Sequence, residues 1–435
     1  MGEPTNTDDI EHLLRRTGFA ARPADVQALV GLDWADAVDA VLDISAAPDP
    51  AAGAPTVARP PAPTTNWSRD YDAMVHHWFD RCASTPTPIV EKMTLFWHGL
   101  LTSSAKDVRL GAILDQHLLF GRRALGRFDD LVTEVAVDPA MLSYLDGKSS
   151  HRWSPNENFP RELMELFCLG VGNYTEEDVR AASRAFTGYR TTEDTQQYFY
   201  DANWHDDGQK TFMGVTRNWD GPGIIDHILN GPTRMVAARH IARRLWSFLA
   251  HPDPSDSLVE ALATTFSNAD LEVLPLVRAI LLRPEFRSQA CRDGLLRSPI
   301  ELAVATITHS GLAAGQVNAE WYLPQMGQRP FMPPNVDGWP CNEGWIATAT
   351  MWARHRFADR VGYVGSDAGL LSGSESRSPA DAVSAALSTF GVSAPSQTTR
   401  STLEAFVTRT RSEAAWLERR GLITMSILAP EYALA

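Results

Sequence analysis

Asn156-Glu157-Asn158-Phe159-Pro160-Arg161-Glu162-Leu163-Met164-Glu165-Leu166-Phe167 is the stretch on which the reading of this chain turns. Its apolar residues, Phe159, Leu163, Met164, Leu166 and Phe167, recur at helical spacing and place one face against a core. Between them sit three carboxylates, two amides and an arginine. Charges that approach a core must be paired or bound to something. The segment is therefore either an internal salt-bridge scaffold or one wall of a functional site.

The same periodicity extends outward in both directions. Thr7-Asp8-Asp9 opens a helix carrying Ile10, Leu13 and Leu14, which Gly18 stops. Short helices fit near 23–30 and 34–44. Residues 45–66, rich in Ala, Pro and Thr, read as a linker or long loop. Thr87-Pro88 starts a helix to about Ser103. Others fit near 108–125, 128–146, 159–169, 176–187, 222–230, 233–250, 255–266, 271–283, 299–311 and 349–362. Thr175-Glu176-Glu177-Asp178 is an N-terminal capping signal. Near 195–215, Tyr198-Phe199-Tyr200 and Lys210-Thr211-Phe212 flank a polar centre and predict a β-hairpin or extended excursion. Residues 321–347 are irregular and dense in Pro, Gly and Trp. The expected fold is mainly α: N-terminal helices and linker over 1–66, a large helical body over 67–365, and a helical part over 366–435.

Composition bounds the function. The chain has 435 residues and a net charge of −14, which argues against a nucleic-acid partner, since phosphate contacts need a basic face. Arg239-His240 with Arg243 and Arg244 forms a local basic patch, read either as an anion site or as a solvated helix face. Cys82, Cys168, Cys291 and Cys341 are isolated, with no zinc spacing. No positively charged, apolar leader opens the sequence, and no run of 18 apolar residues occurs. The expectation is a cytoplasmic protein with a small-molecule substrate, no membrane partner and an undetermined oligomeric state.

Several landmarks follow in order. They are His12-Leu13-Leu14-Arg15-Arg16-Thr17-Gly18-Phe19, Glu91-Lys92-Met93-Thr94-Leu95-Phe96-Trp97-His98-Gly99, Pro155–Leu166 and Leu169-Gly170-Val171-Gly172-Asn173-Tyr174-Thr175. Ala185-Phe186-Thr187-Gly188-Tyr189, His205-Asp206, Lys210-Thr211 and Trp219-Asp220-Gly221 come next. Pro333-Pro334-Asn335-Val336 with Gly338-Trp339-Pro340 completes the set. In this order they resemble the bacterial family catalogued as domain of unknown function 1800, over nearly the whole chain. The resemblance implies no settled activity. Many members look exported and are encoded beside sulfatase- or phosphatase-like proteins, whereas this chain shows no signal. Members often carry a histidine where this chain has Phe167, and an alanine where it has Pro160. The first difference removes a candidate ligand. The second moves the helix start to about residue 159, because proline inside a helix costs about 3 kcal/mol.

Four side chains are candidate metal ligands: His98, Glu162, Glu165 and His205. Glu162 and Glu165 share a helix face and repel unless a cation or proton lies between them. Neutralisation by Arg161 is the alternative. His98 ends an amphipathic helix and suits either a ligand or a satisfied core group. His205-Asp206 suits metal ligation or acid–base work, and equally an ordinary turn. Mixed nitrogen and oxygen ligands favour zinc, iron or manganese. Glu157, Arg161 and Asp206 are the catalytic candidates, and Asn156, Trp339 and Trp345 the substrate-binding ones. The tryptophans wall a pocket or pack a core. The leading expectation is an enzyme with a His/carboxylate, metal-dependent centre that activates water or substrate, as a hydrolase does. The alternatives are an oxidoreductase or natural-product tailoring enzyme, and a non-enzymatic binding or assembly protein with a Trp-rich surface.

Overall fold

The computed structural model describes residues 4–45, 57–61, 64–193, 196–411 and 414–435. Most of the 45–66 linker lies outside them. The chain is mainly α-helical, as its periodicity requires, with two small antiparallel strand pairs. Tyr189–Thr191 pairs with Tyr198–Tyr200, and Lys210–Phe212 with Val215–Arg217. The expected single excursion is thus two hairpins. The second turns through Met213 and Gly214, both at positive φ, the backbone that a tight two-residue hairpin demands.

Helix ends follow local chemistry. The expected helix at 128–146 is two, Phe128–Ala136 and Pro139–Tyr144, because Pro139 opens a new first turn capped by the Asp138 side chain. An eighteen-residue helix, Trp67–Ser84, precedes Pro88–Leu100 and is capped by Asn66. The spacing analysis had assigned no helix there.

The apolar residues form two cores. One gathers the N-terminal helices around residues 89–291. The other gathers Phe19, the helix Trp67–Ser84, the helix Pro299–Ser310, the helix Thr348–Asp367 and the C-terminal helices. Neither core is confined to one of the three stretches read from the sequence. The helix Pro88–Leu100 is buried nearly all round and divides them: Phe96 belongs to the first core and Leu95 to the second. Among the described residues no helix is long and apolar enough to cross a membrane.

Candidate functional site

The Asn156–Phe167 segment begins as a helix, Asn158–Glu162, and then widens into π-helical turns over Leu163–Cys168. The amides of Leu169 and Gly170 both reach the Met164 carbonyl, at 2.9 and 3.1 Å. Such widening leaves carbonyls without their usual partners and recurs at functional sites. The Leu166 carbonyl accepts from His240 Nε2 at 2.8 Å. Gly170 closes the turn at φ +81°, where a Cβ would come within 3.3 Å of His240 Nδ1. Phe167 is fully buried in the core, so this position offers packing and no ligand.

The charged groups of the segment part ways. Arg161 clasps both oxygens of Glu176, at 2.7 and 2.9 Å, and Glu157 at 3.1 Å. Glu157 and Arg161 are thus a surface scaffold in this structure. Asn156 is held from Ser150 and caps Asn158 N at 2.7 Å. Glu165 accepts from the Tyr174 hydroxyl at 2.6 Å, and burial together with that bond pushes Tyr174 up to about 12. Glu162 differs. Among the described residues no hydrogen bond or ion pair reaches its carboxylate. Desolvation, then the charges of Glu165 and Asp337, raise its pKa above the usual carboxylate range.

The other candidate ligands lie in different settings. His98 is buried against Trp78, Phe120 and Phe331. Its Nε2 meets His117 Nδ1 at 3.1 Å, and burial drives its pKa down to about 3. His117, a partner that the spacing had not singled out, is neutralised in the same way. Glu91, on the same helix as His98, is spent on Trp78 and Arg81. His205 is buried on the strand-linking loop with Nδ1 2.9 Å from the Thr187 carbonyl. Asp206 is held bidentate by Arg184 at 2.7 and 3.1 Å, which keeps its pKa low. Beside it, buried Lys210 donates to Asn218 and the Trp219 carbonyl. Among the described residues no three His, Cys, Asp or Glu side chains are placed to hold a metal ion. The expected set of His98, Glu162, Glu165 and His205 is therefore not assembled into one centre, because a core pair, the helical segment 158–168 and the link between the two hairpins each hold a part of it.

A cavity of about 350 Å³ opens where the two cores meet, within the size range of small-molecule sites. Leu95, Phe96 and Gly99 of the helix Pro88–Leu100 line it, with Arg243, Arg244, Ser247 and Phe248 of the helix Arg234–Leu249. Trp339, Trp345 and Asp337 come from the irregular zone. That zone is held close by Gly338, whose φ is +89° and whose Cβ position lies 2.4 Å from the Gly99 carbonyl, so only glycine permits the approach. Trp345 is buried, and Trp339 is half-buried, its buried indole N–H without an acceptor among the described residues. Glu301, Gln328 and Asn342 add polar groups. Asp337 connects the cavity to the π-helical segment, since it lines the one and its charge reaches Glu162 on the other. His240, Arg244 and Ser247 follow one face of the helix Arg234–Leu249 and make the same connection.

Fold and site together define a mainly α-helical protein with a tryptophan-walled cavity of small-molecule size. The chain belongs to the DUF1800 family, proteins of unknown function, whose profile matches residues 12–434. No curated protein and no solved structure matches it significantly.

Proposed function

We propose that this protein binds a small molecule in the cavity walled by Trp339 and Trp345. The observation that carries the reading is the convergence there of apolar walls with a few polar groups, Arg244, Ser247, Gln328 and Asn342 among them. An apolar chamber with sparse, directed polar groups is the usual build of a ligand site. In this reading the partner is a small cytoplasmic molecule and not a nucleic acid, in keeping with the net charge of −14. Titration calorimetry with 2-naphthol, a neutral flat ring, tests it. Saturable one-site binding is expected, and Ser247→Trp, which fills the chamber, should abolish it while the protein stays folded. Failure to bind, or equal binding by the filled variant, overturns the reading.

Glu162 supports a second reading, that the bound molecule is also transformed. A half-buried carboxyl with a raised pKa and no partner among the described residues suits general acid–base work, as in a hydrolase.

A further inference from the structure

The back wall of the cavity carries an imbalance of charge. Glu301 lines the cavity, accepts from the Ser298 amide at 2.8 Å and pairs with Lys92 Nζ. Three more cations lie within electrostatic reach of the same carboxylate: Arg16, Arg297 and Arg354. All four cations are buried. Burial lowers every one of their pKa values, Arg16 to about 9 and Arg354 to about 10, which still leaves those two arginines charged at neutral pH. Backbone carbonyls of Cys291, Tyr432 and Arg297 take some of the guanidinium donors. Arg16 Nε and Nη1 and Arg354 Nε have no acceptor among the described residues. Lys92 also sits 5.5 Å from the ring of Phe248, itself a wall of the cavity. Buried charge of one sign is costly without a counter-charge, and here several cations share one carboxylate just behind the wall.

The rim of the cavity adds a further cation, Arg244. Arg239 and Arg243 are engaged outward, with Glu260 and with Asp256 at 2.7 Å; for them the solvated-face reading of the basic patch holds. Arg244 lines the cavity and, among the described residues, makes no hydrogen bond or ion pair. It remains exposed at the rim, while the protein around it lowers its pKa by desolvation. Asp337, the acidic group on the same rim, is within electrostatic reach but does not pair with it; its charge also acts on Glu162.

We propose that the ligand of this cavity is a small organic anion whose acidic group is bound by Arg244, in the positive field of the buried cations behind Glu301. A guanidinium without a partner matches a carboxylate or phosphate in geometry and charge. The inference rests on the cavity being a ligand site, and the experiment separates the two ideas. Calorimetry at neutral pH compares 2-naphthoate with 2-naphthamide, the same ring bearing a neutral group. The naphthoate should bind about tenfold tighter, a difference of about 1.4 kcal/mol. Arg244→Gln should erase that preference by weakening the naphthoate far more than the naphthamide, with unaltered unfolding as the check on structure. Equal binding of the two probes, or a preference that survives Arg244→Gln, overturns the anion assignment and leaves the cavity reading standing. If neither probe binds, both ideas fall.

Discussion

Asp138 accepts from Met141 N at 3.0 Å, where it caps the helix Pro139–Tyr144, and from Gln116 Nε2 at 2.8 Å. Burial outweighs those bonds and pushes its carboxyl up to about 7. A carboxyl raised in this way favours the folded state at low pH, below its unfolded value near ~4. That contribution is lost as pH rises through about 7. Asparagine keeps the acceptor for both hydrogen bonds and removes the titration. Asp138→Asn should therefore gain on the parent protein between pH 5 and pH 8, by about 1–3 kcal/mol in urea unfolding. A difference independent of pH would show that Asp138 titrates normally. The single residue also marks where sequence reading ends. Glu162 and Trp339 stand out by type and spacing, but the state of Glu162 depends on Asp337, which is remote in sequence. His98 stood out as well, yet its closest partner, His117, comes from another helix and carries no local signal. Arg244 looked like one of several arginines until its neighbours proved to be engaged elsewhere.

The π-helical turn at Leu163–Cys168 is a tertiary product. Its residues have ordinary helical spacing, and nothing in their order announces the wider turns. What sustains the widening is His240 from a distant helix, donating to the Leu166 carbonyl that the turn leaves free. Replacing it by phenylalanine keeps the bulk and removes the donor. His240→Phe should destabilise the protein by about 1–2 kcal/mol, the cost of leaving a half-buried carbonyl unpaired, as read from the urea midpoint. Other element boundaries were within reach of the sequence. Tyr71, Met74, Val75, Trp78, Phe79 and Cys82 recur at i, i+3, i+4, i+7, i+8 and i+11 behind an Asn66 cap, so the helix Trp67–Ser84 was legible but masked by the proline-rich stretch before it. Pro139 likewise announces a break that the apolar periodicity of 128–146 conceals. The irregular zone is different again. Its dense Pro, Gly and Trp gave no pattern to extend, and its place is set by contacts remote in sequence, among them Gly338 against Gly99, the Phe331 carbonyl on the Ala105 amide and Gln328 on the Ile300 amide.

At the scale of the whole molecule, the second core crosses the boundary expected near residue 365. Phe357 and Val361 share it with Leu422 and Ile423, and Arg420 clasps Asp359 across the same contact at 2.7 Å. A chain cut after residue 365 would leave an apolar helix face without cover. It should lose its near-ultraviolet circular dichroism and its cooperative urea transition while keeping much of its helix content. A truncated chain that unfolds as sharply as the parent would mean that the first 365 residues stand alone.

Arg297 donates to the Tyr432 carbonyl, 135 positions further along the chain, and Leu296 bridges Leu434, so the wall around the cavity is finished by a segment remote in sequence. Phe19 waits for the same partners. Folding must bring these sequence-distant helices together, a long-range closure that is intrinsically slow. The cavity takes shape only when that closure is made.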